Sequence, residues 1–210
     1  MKNIIKKTRY KIFYVSPKKI KHCIFPSKFC DYTQFNSSKI HPHGGRDRGV
    51  FKEDVSGKVK IINTNWDKKS GILFSKLLEF KALEFHFNGK ENWKLSEFAE
   101  RNVEYIKNKN KVRGFVDPKK FLIKREKQIN RLIDSISKKG VYPINNSENR
   151  KLFIDNISLA LTKDNKLYFN NRGHHRLSIS KILNLKKIPV KITVAKSLKK
   201  LIEFYDLNND

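Results

Sequence analysis

The sequence predicts an α+β domain, and three observations predict it. Short runs of β-branched and aromatic residues stand near the N-terminus and again beyond residue 156. Three apolar stripes at helical spacing fill the middle of the chain. Glycine, proline and asparagine punctuate the boundaries between these patterns. Both ends of the 210-residue chain are therefore expected to build one domain, 1–210, with 70–140 as a helical insertion and 155–195 as the central unit.

Taken in order, Tyr10 to Val15 reads as a strand stopped by Ser16-Pro17. From His22 to Gly57 no periodicity emerges, and the segment from His41 to Gly49 is a loop. Val59 to Ile62 is a candidate second strand. Phe74, Leu77, Leu78, Ala82 and Phe85 mark a helix closed by Gly89. Leu95, Phe98, Ala99, Val103 and Ile106 mark a second. In the third, Asp117 caps, Pro118 takes the first helical position, and an apolar face from Phe121 to Ile136 runs until Gly140. Ile157–Leu161 and Leu167–Phe169 read as strands around the turn Lys163-Asp164-Asn165-Lys166. A helix from about His174 to Leu183, ended by Asn184, leads to a strand over Ile188–Val194. Leu198, Leu201, Ile202 and Tyr205 define a last helix. The expected sheet is small and mixed, with the Phe74–Lys139 helices packed on or beside it.

Forty-seven Lys and Arg against 20 Asp and Glu give a formal charge of +27. A surplus of that size favours anionic partners, because clustered cations bind phosphates with counterion release. Lys far outnumbers Arg, however, and the lysines are spread along the whole chain, the profile an AT-rich genome imposes on any protein. The charge therefore points to anionic ligands in general and only secondarily to DNA. Two cysteines, Cys23 and Cys30, imply no disulfide framework. No apolar stretch is long enough for a membrane partner, and the basic N-terminus lacks a signal-peptide pattern. A soluble, cytoplasmic protein is expected.

The chemistry concentrates in Asn171-Arg172-Gly173-His174-His175-Arg176. Amide groups at a helix start are unpaired and carry the positive end of the dipole, so a glycine-containing loop there admits a phosphate closely. Arg176 offers a forked pair of donors, and His174 or His175 offers a hydrogen bond or a proton near neutral pH. Ser178 and Ser180 keep the following helix slim against the sheet.

The run LYFNNRGHHRLSISKILNLKKIPVKITV, Leu167 to Val194, resembles the central motif of the ParB N-terminal/sulfiredoxin superfamily. There a strand delivers a Gly-x-His-Arg loop, a helix with small residues follows, and an Ile-Pro-Val strand closes the unit. Val15-Ser16-Pro17-Lys18-Lys19-Ile20 is similar to the phrase that ends the first strand in that superfamily. Asn65-Trp66-Asp67, His86-Phe87-Asn88-Gly89 and Trp93 resemble the helical insertion of its microbial and phage members. The resemblance implies a ParB/sulfiredoxin-like fold. It also implies nucleotide phosphates held by Arg172, Gly173, His174, His175 and Arg176, with Mg²⁺ and ATP, ADP or CTP as the candidate cofactors.

Departures narrow that implication. Sulfiredoxin chemistry needs a cysteine in the loop, and none is present. Arg172 stands where many relatives carry Asp. Lys18 to Phe29 lacks the carboxylate of the serine-kinase members, Asp31 being the first acid after the first strand. Partition proteins carry a helix-turn-helix domain after this unit; only Lys196 to Asp210 follow here, so chromosome partition is not expected.

Other candidates surround the motif. His41, His43, Gly44, Gly45, Arg46, Asp47 and Arg48 form a second basic loop. Arg46 and Arg48 are phosphate-binding candidates and Asp47 a metal ligand, against the equal alternative of a solvated loop. Asp67 is the best acid for Mg²⁺ or a substrate hydroxyl if it faces the loop; the alternative is a turn-forming Asp beside a packed Trp. Zinc binding by Cys23, Cys30 and nearby histidines lacks the close cysteine pair of structural sites. His86 reads as a structural histidine, and the basic run Lys107 to Arg113 as a solvated connection between helices that is also the place to look for DNA contact. The expectation is a nucleotide-binding protein, with His175, His174 and Asp67 as catalytic candidates in NTP hydrolysis or phosphoryl transfer. The alternatives are a DNA-binding or nuclease-like protein and a non-catalytic nucleotide sensor.

Overall fold

A computed structural model describes residues 9–24, 56–67, 72–108, 111–112, 114–143, 156–170 and 172–208. The fold is α+β. In chain order the elements are β1 (Ile12–Val15), β2 (His22–Cys23), β3 (Lys60–Ile61), β4 (Ile72–Leu73), α1 (Leu78–Phe87), α2 (Glu97–Lys107), α3 (Pro118–Lys139), β5 (Ile157–Leu161), β6 (Leu167–Phe169), α4 (His174–Ile182), β7 (Ile188–Ala195) and α5 (Leu198–Leu207).

The strands form one mixed sheet in the order β1-β7-β5-β6-β2-β4, with β3 also on β7. β7 runs parallel to β5 along most of its length. Its other edge is shared end to end: β1 pairs antiparallel over Ile188 to Lys191, and β3 pairs parallel at Val194 and Ala195. Every residue of β5 and β7 is buried. That agrees with their near-continuous apolar sequences, the mark of strands covered on both faces.

The sheet is larger than the four strands expected. β2 and β4 add an edge beyond β6, and β3 joins β7. Strands of two residues are too short to display period-two alternation, so their pairing is imposed by neighbours rather than by their own sequence. The first helix also starts later than its stripe. Phe74–Lys76 is a 3-10 turn, and Leu77, at φ −66° and ψ 130°, interrupts it before α1. Two stripe residues assigned to the core are instead exposed, Leu95 at 68% and Phe85 at 39%.

Two cores result. One lies against the sheet and gathers Phe13, Ile157, Leu159, Val190 and Ile192 with Leu177 of α4 and Leu201 of α5. The other is internal to the insertion: Leu83, Trp93, Phe98, Ile106, Phe121 and Ile129 join α1, α2 and α3. Ile182 of α4 packs against both. α4 is thus the seam between sheet and insertion. His86 ties the insertion together. Its Nδ1 accepts from the Trp93 amide, so Nε2 carries the hydrogen and donates to Asn130 Oδ1 at 2.8 Å. Asp117 caps α3 by accepting from Lys120 N at 3.0 Å. Among the described residues, no helix is long and apolar enough to cross a membrane.

Candidate functional site

The start of α4 is built by one glycine. Gly173 is the N-cap at φ +81°, the left-handed region that side chains disfavour. A Cβ there would lie 2.7 Å from the Ile157 Cα and 2.7 Å from its Cγ1. The Ser158 amide donates to Arg172 O and the Leu177 amide to Gly173 O, which pins the turn between β5 and the first turn of α4. Gly173 brings no side chain to cap the helix. Arg172 is exposed beside it and Arg176 half-buried.

His174 and His175 do not point outward from this turn. Both reach Glu79 in the first turn of α1, a residue only 3% exposed. His174 Nδ1 lies 3.2 Å from Glu79 Oε2, and His175 Nε2 lies 2.6 Å from Oε1. Phe74 stacks on the His174 ring at 5.1 Å between centroids, and Phe169 meets it edge-on. From α3, Arg125 brings Nη2 within 2.7 Å of His175 Nε2, while its Nη1 donates to Gln128 Oε1. Arg125 is 7% exposed. The result is a buried Glu–His–His–Arg cluster joining α1, α3 and α4.

The cluster has a built-in proton choice. A ring nitrogen holds either one hydrogen or one lone pair. His175 Nε2 can donate to the Glu79 carboxylate or accept from the Arg125 guanidinium, one at a time. Which of the two it does is set by the tautomer and protonation of the ring.

Sequence reasoning found the histidines and missed both of their partners. The signal was nevertheless there. Glu79 lies between Leu78 and the buried pair Ala82 and Leu83, and Arg125 stands four residues from Phe121 and four from Ile129 on the buried stripe of α3. A charge set inside an apolar stripe must be paired when buried, because an isolated ion there is too costly.

Asp67 is not part of this site. Its Oδ2 accepts from the Lys163 amide at 2.9 Å, and its Oδ1 pairs with Lys196 at 3.0 Å. Both partners lie past the C-terminal ends of β5 and β7, whereas Gly173 packs on Ile157 at the start of β5. At ~3.3 Å per residue the two ends of β5 are about 13 Å apart. Burial alone would raise the Asp67 carboxyl. The Lys163 amide and the Lys196 ammonium outweigh it and hold the group below the usual carboxylate value. Asp67 therefore pins the β5–β6 turn to the end of β7, away from the start of α4. Arg46, Asp47 and Arg48, with His41, His43, Gly44 and Gly45, lie outside the described residues, as do Cys30 and Asn171. Cys23 is buried in the sheet core.

Mg²⁺ was expected on Asp67 or Asp47. Asp67 is held at the far end of β5, Asp47 is not described, and Glu79 is enclosed by two imidazoles. Among the described residues, no group of three His, Cys, Asp or Glu side chains is arranged to hold a metal ion. The described residues therefore place no carboxylate at the loop in position to hold Mg²⁺.

A second feature borders the cluster. Phe74, which stacks on His174, also lines a pocket of about 340 Å³ with Pro17, Lys18, Lys21, Phe80, Lys181 and others. Lys181 lies along α4 with its Nζ donating to Pro17 O at 2.7 Å and sitting 5.5 Å from the Phe74 ring centre. Burial lowers its ammonium to about 8; nearby Lys21 adds to this and Cys23 opposes it. The folded chain thus disfavours charged Lys181 fully below pH 8, and the penalty is relieved as pH rises from 8 toward the ordinary lysine value. Lys181→Met is accordingly expected to raise the melting temperature by a few degrees at pH 7 and to lose that advantage by about pH 10.5. Scanning calorimetry across that range checks it, and an advantage that grows with pH would contradict the sign. Pro17 O keeps a partner in the variant, since the Ile20 amide also donates to it.

Compared with family models, curated proteins and solved structures, the chain matches none of them. What the fold and the site define is an α+β protein with a glycine-capped helix start mounted on a buried Glu–His–His–Arg cluster.

Proposed function

We propose that this chain binds a nucleotide in the cytoplasm through its phosphates, at the turn formed by Arg172, Gly173 and the start of α4. One observation carries the reading. The left-handed Gly173, seated against Ile157, opens α4 without a capping side chain and between two arginines. Backbone amides and the helix dipole favour an anion at such a place, and the resemblance of the surrounding phrase to the ParB/sulfiredoxin superfamily names nucleotide phosphates as that anion. Arg172 and Arg176 supply charge. His174 and His175 act differently from simple phosphate ligands: held on Glu79, they stiffen the turn, and His175 is the group able to take or give a proton. Hydrolysis or phosphoryl transfer would use that proton and the electrostatic placement that dominates such reactions. A sensor would use only the placement.

DNA binding draws on another surface. The exposed side of α3 carries Lys120, Lys124, Lys127 and Arg131 at helical spacing. Such a row would contact successive phosphates rather than read bases.

One titration panel separates these readings. ATP, ADP, CTP and GTP, with and without Mg²⁺, and a short DNA duplex are titrated at physiological salt into the wild type and Arg176→Ala. Saturable binding of one nucleotide, weakened about tenfold or more in Arg176→Ala, is the expected result. Binding of duplex alone, undiminished in Arg176→Ala, would move the function to α3. Phosphate release with the bound nucleotide then distinguishes an enzyme from a sensor.

A further inference from the structure

We propose that the pocket between the Pro17–Lys19 turn, Leu73–Ser75 and the C-terminal half of α4 is a second ligand site, for a small organic anion: a carboxylate or phosphate on a flat apolar body. Its volume, about 340 Å³, lies within the range of small-molecule sites and would enclose a molecule the size of an aromatic acid. Phe74 and Phe80, both buried, form apolar wall, and buried Pro17 adds to it. Lys18 and Lys21 stand exposed at the mouth, and Lys181 enters from α4. Among the residues lining the pocket, three are cationic and none is acidic. Such a wall selects against cations and neutral polar molecules and offers an anion three ammonium groups.

The placement of Lys181 strengthens the argument. Its ammonium is half-buried over the Phe74 ring, with Pro17 O as its hydrogen-bond acceptor. An ammonium bears three donors. A carboxylate or phosphate seated beside Phe74 would give this group the counter-charge that a carbonyl dipole and an aromatic face supply only in part. Among the described residues, Lys18, Lys21 and Lys181 line the site, with Cys23 near Lys181 and His174 behind Phe74, so anion binding near pH 8 should be accompanied by proton uptake at Lys181. The inference does not rest on nucleotide binding, because it involves none of Arg172, Gly173 or Arg176. Phe74 is shared, since it lines this pocket and stacks on the ring of His174.

Phenyl phosphate and benzoate serve as probes, titrated calorimetrically into the full chain at constant ionic strength. Inorganic phosphate and phenol are the controls that lack the apolar body or the charge. One-to-one binding of phenyl phosphate or benzoate in the millimolar range or tighter is expected, exceeding inorganic phosphate and phenol. Lys181→Met should weaken it about tenfold and Lys21→Gln several-fold, with Lys199→Gln on α5 unchanged. Lys21 is exposed, so its variant reports on the pocket even if Lys181→Met were to disturb folding. No saturable binding of either probe to folded protein overturns the proposal, as does affinity unchanged in both Lys181→Met and Lys21→Gln. Loss of probe binding in Arg176→Ala would also overturn it, by placing the anion at the start of α4 instead. Loss of nucleotide in Arg176→Ala with phenyl phosphate retained supports two separate sites, and the absence of nucleotide binding leaves the pocket result standing.

Discussion

Glu79→Ala is expected to lower folding stability by about 3–5 kcal/mol, the cost of breaking a buried charge cluster by removing one partner. The carboxylate faces His174 and His175, and Arg125 meets the same Nε2 of His175. Without it, a guanidinium and two imidazoles are left at the junction of three helices with no negative charge between them. For a chain of this length, a change of that size lowers the melting midpoint by roughly 10 °C. Urea unfolding of Glu79→Ala, Glu79→Gln and Glu97→Ala tests the claim. The glutamine keeps hydrogen-bonding oxygen and should retain part of the stability. Glu97 is exposed on α2, so its removal should change stability by about 0.5 kcal/mol or less. A Glu79→Ala variant as stable as Glu97→Ala would mean the cluster contributes nothing to the fold.

The second large effect belongs to Gly173→Ala. Two penalties act together there. A non-glycine residue in the left-handed region costs about 1–2 kcal/mol. The new methyl meets the Ile157 backbone as well as its Cγ1, so turning that side chain away would not make room, and forcing it in costs a further ~1–3 kcal/mol. Gly89 is the matched control, since its φ is +67° but nothing lies within 4 Å of its would-be Cβ. Gly89→Ala should therefore show the conformational penalty alone. Equilibrium unfolding of the pair isolates the packing part as their difference, and equal losses would refute the close seating of Gly173 on β5. Nucleotide binding, if it uses this turn, should fall in Gly173→Ala and survive in Gly89→Ala.

Much of this architecture was legible in the residues. α3 was bounded to the residue by Asp117, Pro118 and Gly140, because caps are local chemistry and the apolar face between them is long. β5, β6 and the hairpin turn were likewise readable, the turn confirmed by Asn165 at φ +58°. What escaped was information held in other elements. β2 and β4 are strands only because β6 offers an edge. The stripe that placed Leu95 in the core assumed an unbroken helix, whereas a 3-10 turn at Trp93–Leu95 rotates it to solvent. Of the candidate site, the Gly-His-His-Arg turn could be read from one segment. The direction of its histidines could not, since Glu79 and Arg125 arrive from helices far away in sequence. Asp67 was misassigned for the same reason: a strand-end acid looks alike whichever end of the sheet it faces.

The pairing of β1 with β7 has a consequence for how the chain is made. Val15 registers with Ile188, and the Tyr205 hydroxyl donates to Arg9 O, so the first described strand is completed only by the last one and by α5. On the ribosome, where synthesis proceeds at roughly 5–20 residues per second, β1 emerges long before its partner exists and waits on the order of ten seconds or more. During that interval Phe13 lacks Phe204 and Tyr205, the rings it meets in the finished fold. A permuted gene that begins within the insertion would bring β7 and β1 out in succession and shorten that exposure.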